Sequence, residues 1–170
     1  DSLVKLAVRG SDFPGLGSQN VDNRVQHLVQ TLLGDANENR WLSLASHLRP
    51  LAEAAPQAFL RAVEASLTQP NPPVARLFSE GVAGEHPLTG AGWYYADLLW
   101  ALETLAWSPH WMPRVATILA RLSHLPLPEN WGNRPANSLL DIFRSWCPHT
   151  NANLEQRLAV LDTLIKQEPE

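Results

Sequence analysis

Apolar residues recur along this chain at intervals of three and four, a rhythm that predicts helices. No segment alternates apolar and polar residues between hairpin turns, so no strand is expected. Val25, Leu28, Val29, Leu32 and Leu33 stand at i, i+3, i+4, i+7 and i+8, the stripe of an amphipathic helix. Asp22 or Asn23 caps its start and Gly34 stops it. Residues 37–48 predict a second helix with Trp41, Leu44, Ala45 and Leu48 on one face. Pro50 and Pro56 bracket a turn, and Phe59, Leu60, Val63 and Leu67 mark a third helix that the prolines 70, 72 and 73 end. A short helix over 74–79 leads into a loop over 81–92, and residues 10–19, with Pro14, Gly15 and Gly17, read as another loop.

The second half is more sharply punctuated. Apolar residues nearly encircle the segment 93–107, as in a helix covered on more than one side. Ser108-Pro109 reads as an N-cap followed by a proline at the first helical position, and Val115, Ile118, Leu119 and Leu122 follow. A helix over 137–146, capped by Asn137 or Ser138, ends at Pro148. The last helix, over 153–167, carries Leu154, Leu158, Leu161, Leu164 and Ile165 on one face, with Asn151 or Asn153 as its cap. The expected fold is all-α: about seven helices in antiparallel pairs, a short α-solenoid or irregular helical bundle. One helical domain is expected over 1–170, with 1–21 an irregular lead-in, cut from a larger protein.

Three helices share Arg followed by small or apolar residues, at Arg61, Arg114 and Arg157, spaced 53 and 43 residues apart. HEAT and armadillo units repeat at ~40–47 residues, and the long loop over 81–92 accounts for the larger interval. Stacked pairs would leave an extended surface suited to a partner.

Composition narrows the uses of such a fold. At 170 residues and 45% hydrophobic, the chain can bury about two-thirds of its unfolded surface. The net charge is −4 and the thirteen basic residues lie scattered, which argues against nucleic acid, whose binding relies on clustered Lys and Arg. Arg, Asp, Glu or His interrupts every apolar run, so no membrane span is expected. Cys147 is the single cysteine. No disulfide can form within the chain, which fits a cytoplasmic setting.

Candidate chemistry is sparse. The six histidines form no His-Glu-x-x-His, and the Cys147/His149 pair lacks the further ligands of a structural zinc. Neither a metal nor a cofactor is expected. Cys147, following Trp146 at a helix end, reads as a small buried apolar residue. Seven tryptophans are many for this length. Trp93, Trp100 and Trp107, spaced by seven, read as packing residues, and Asp97 and Asp141 as partners for an Arg on a neighbouring helix.

The segments Leu-Glu-x-Leu-Ala-Trp-Ser-Pro at 102–109, Asn-Trp-Gly-Asn-Arg-Pro-Ala-Asn-Ser-Leu at 130–139 and Ile-Phe-Arg-Ser-Trp-Cys-Pro-His-Thr at 142–150 carry a resemblance. Together they resemble a helical, HEAT/armadillo-like region of large uncharacterised bacterial multidomain proteins, some of which look like signal-transducing NTPases with a helical sensor. The similarity covers about the second half of the chain. It implies a sensor or scaffold rather than an enzyme, and no phosphate-binding loop is present. The expected role is therefore noncatalytic protein binding, to a separate protein or another domain of the same chain, through Trp111, Trp131, Asn133 and Arg134. The alternative is an enzyme or small-ligand domain with a polar site around Asp97, His110 and Arg144.

Overall fold

A computed structural model describes residues 2, 4–5, 18–79, 83–84, 92–127 and 133–167. Among these, eight α-helices and two 3-10 segments carry the fold, and extended structure is limited to a two-residue antiparallel ladder, Ala83 opposite Trp93 and Gly84 opposite Gly92. The chain is all-α, as the apolar rhythm predicts. Contacts cluster into two compact units, Asp1–Ala101 and Leu102–Glu170.

In the first unit, helix α1 spans Ser18–Leu33, so it begins ahead of the expected cap at Asp22 or Asn23. Val21, Val25, Val29 and Leu33 form its buried stripe, while Leu28 stays 45% exposed. Gly34 ends the helix as anticipated; a Cβ there would come within 2.6 Å of the Gln30 carbonyl oxygen. Helix α2, Glu38–Leu44, is capped by Asn37, whose side chain accepts the Arg40 amide at 3.0 Å. The chain tightens into a 3-10 turn at Ala45–His47 and re-forms helix α3 at Leu48–Ala54. The turn expected between the two prolines is thus helical. Pro50 occupies the first turn of α3, where its missing N–H has no intrahelical partner to lose.

Helix α4, Pro56–Leu67, starts on its proline and buries Phe59, Leu60 and Val63. Its cap is supplied by tertiary structure: Ala55 has no capping side chain, and Gln26 of α1 accepts the Ala58 amide at 3.1 Å. The short helix expected at 74–79 is a 3-10 segment over Pro73–Phe78, and buried Ser66 accepts the Val74 amide at 2.9 Å. Helix α4 packs on α1 and α3, and the 3-10 segment packs on α2. Helix α5, Tyr94–Ala106, runs from one unit into the other; in its first half Tyr95 stacks on Phe78 with centroids 5.7 Å apart.

In the second unit, α6 spans Met112–Ser123, α7 Pro135–Phe143 and α8 Leu154–Gln167. Ser108-Pro109 does not open α6. Ser108 begins the turn before it, its carbonyl accepting the Trp111 and Met112 amides at 3.0 and 2.9 Å, and the first-turn proline is Pro113. Likewise α7 starts on Pro135 behind an extended Arg134, two residues ahead of the expected Asn137. Both α7 and α8 pack on α6, so α6 is the hub, rather than α7 and α8 forming a self-contained pair.

The arginines offered as repeat markers occupy unlike environments. Arg61 is exposed, Arg114 lies with its guanidinium carbon 6.0 Å from the Trp111 ring centroid, and Arg157 is buried, donating to the Arg144 carbonyl at 2.6 Å. Equivalent positions in stacked repeats would share a packing role, so the Arg pattern does not mark one.

Candidate functional site

The second unit has more apolar surface than it can cover. Helix α7 turns Pro135, Ser138 and Ile142 inward. Ser138 is fixed there by donating to the Glu103 carboxylate at 2.6 Å. With that face committed, Leu140 is left 66% exposed.

Helix α8 repeats the situation on a larger scale. It is capped reciprocally: Asn153 Oδ1 accepts the Gln156 amide at 2.9 Å and Gln156 Oε1 accepts the Asn153 amide at 3.0 Å, the arrangement of a capping box. Arg157 and Leu164, seven residues apart, are its buried positions. Leu154, Leu158, Leu161 and Ile165 are exposed by 60, 51, 37 and 65%.

A groove of about 710 Å³ forms where these surfaces meet. Ala120, Ser123 and His124 of the α6 end form one part of its lining; Ala136, Leu139, Leu140 and Phe143 come from α7, and Leu161, Leu164 and Ile165 from α8. Its polar groups are few. Ser123 already donates to the Leu119 carbonyl at 2.8 Å, and His124 is exposed. A small-molecule site needs several convergent polar groups to orient its ligand. This groove offers mainly apolar surface.

The residues singled out from sequence lie elsewhere. Trp111 precedes α6, half-buried, with His110 edge-on to its ring at 4.3 Å. Arg134 donates to the Leu127 carbonyl at 3.1 Å, staying with the segment that leaves the far end of α6. Trp111 stands just before the first residue of α6, and Leu127 four residues after its last. Asn133 is half-buried beside Arg134. Trp131 lies outside the described residues.

The alternative polar site draws on Asp97, His110 and Arg144. Asp97 belongs to the first unit, whereas His110 and Arg144 belong to the second, where they take separate partners, Trp111 and Asp141. Burial pushes the Asp97 carboxyl above the usual carboxylate range. Asp141 pairs at 2.8 Å with Arg144, three residues along the same chain segment rather than on a neighbouring helix, and lies 3.7 Å from His149 Nδ1.

Other side chains also depart from expectation. Cys147 is exposed with φ 50°, not buried. Trp100 and Trp107, expected as packing residues, are exposed by 50 and 49%, and Trp146 is exposed by 84%. Trp107 stacks on His149 at 6.4 Å and its carbonyl accepts the Asn151 amide at 3.1 Å. Among the described residues no cluster of three or more His, Cys, Asp or Glu could hold a metal, and no helix is long and apolar enough to cross a membrane.

Sequence reasoning placed the α8 leucines on one face without saying what covers it. The signal for a second use was its width: at about 100° per residue, positions from Leu164 round to Leu158 span more arc than packing on one helix requires. Comparisons with models of protein families, with curated proteins and with solved structures found no match.

Proposed function

We propose that this chain is a noncatalytic helical module that binds protein, and that it does so by receiving an amphipathic helix in the α6–α7–α8 groove. The observation carrying this reading is the aliphatic lining Leu140, Leu161 and Ile165, which Leu154 and Leu158 extend along α8, each of the five more than a third exposed. Together they expose an area on the order of a few hundred Å², the scale at which an apolar patch marks an interaction site. Helix-in-groove recognition reads anchors at three- and four-residue spacing, and the α8 residues offer that spacing in return. The sensor or scaffold role implied by the resemblance of the second half agrees with such a surface. The enzyme alternative has no comparable support.

Selection of a helical-peptide library against the protein tests the reading, with the Leu140→Asp, Ile165→Asp double variant as counter-target. Both side chains are more than half exposed, so the variant retains its fold. Peptides with apolar residues every three and four positions that bind the parent protein and not the variant are the expected product. Selected peptides that bind both proteins equally would remove the groove from the account.

A further inference from the structure

The exposed α8 seam has a charged edge. Leu154, Leu158, Leu161 and Ile165 follow one another at spacings of four, three and four, the d-a-d-a sequence of a heptad seam. On one side this seam is bounded by Arg157 and Leu164, which are buried. On the other side stand Glu155 and Asp162, both exposed and seven residues apart, at the heptad position from which charged residues choose a partner helix. Lys166, also exposed, follows Asp162 by one turn, so the edge carries two acids and one base.

We propose that the partner is a basic amphipathic helix of another polypeptide, which lays its apolar stripe on the α8 seam and sets lysine or arginine side chains against Glu155 and Asp162. This rests on the groove reading above and adds the partner's chemistry to it. A second copy of this chain is the less favourable occupant. Two α8 helices in antiparallel register would bring Glu155 of each close to Asp162 of the other, like charges at both ends of the contact. An anionic lipid surface meets the same repulsion.

Two synthetic helical peptides with an identical leucine seam, one carrying Lys and one carrying Glu at the flanking positions, test this against the whole chain by fluorescence anisotropy. The Lys peptide should bind about tenfold more tightly at low salt, the sum of two exposed charge contacts turned from attraction to repulsion, and the difference should shrink as salt screens them. Glu155→Lys with Asp162→Lys should reverse the preference, and Glu155→Gln with Asp162→Asn should narrow it. Equal binding of both peptides overturns the charge assignment while leaving the groove in place. Binding of neither peptide overturns both. Sedimentation of the chain alone as a dimer that Leu158→Asp dissociates would make a second copy the occupant and overturn the proposal.

Discussion

Trp41 sits at 0% exposure with its indole N–H unbonded. A buried donor without a partner costs about 1–3 kcal/mol, so the ring must be retained for the apolar area it removes from water. The two contributions can be separated. Trp41→Ala, which empties the site, should destabilise the protein by about 3–5 kcal/mol. Trp41→Phe keeps most of the apolar contact and discards the orphan donor, so it should cost much less than the alanine variant in urea unfolding. Equal losses for the two would mean that the N–H does have a partner. Arg157 poses the same question with a charge: its guanidinium holds the Arg144 carbonyl while Nε stays buried and unbonded. It anchors the segment entering α8, a role that its place in an Arg-Leu-Ala pattern did not disclose.

Helix ends are where local chemistry and tertiary structure trade places. Asn153→Ala removes half of the reciprocal cap on α8 and should lower stability by about 1 kcal/mol. Thermal unfolding would detect that loss, and an unchanged midpoint would show that packing on α6 alone fixes the helix start. The helix ends that were legible in sequence rest on local signals: Asn153 bonds within the first turn of α8 and Gly34 closes α1. Those that were not legible depend on distant residues or on a choice between equivalent signals. Gln26 serves the start of α4 from another helix, which no pattern around Ala55 reveals. Ser108-Pro109 and the Pro113 turn carry the same kind of signal four residues apart, and burial of Met112 and Val115 selects the later start. Pro50 looked like a breaker because a proline in a helix's first turn and one after its end are indistinguishable until the helix boundary is known.

At the scale of the molecule, the helical class was readable because period depends only on side-chain order, whereas the pairing of helices depends on which of several apolar faces meet. Helix α8 shows the difference. Its leucines predicted a helix and a shared apolar face, but not that Arg157 and Leu164 take the inward side while the remaining seam faces solvent. The binding residues expected at Trp111 and Arg134 were chosen for composition, and α6 holds them near its two ends. The groove assembled from three helices separated in sequence had no contiguous motif to announce it.

The proposed function places a helix in this groove. Methyl-resolved NMR during titration with the lysine-flanked peptide tests it most directly. The account predicts shifts at Leu139, Leu140, Leu161, Leu164 and Ile165 that saturate together, with the Leu60 and Val63 methyls of the first unit unchanged. Saturating shifts confined to the first unit, or spread evenly over both, would contradict it.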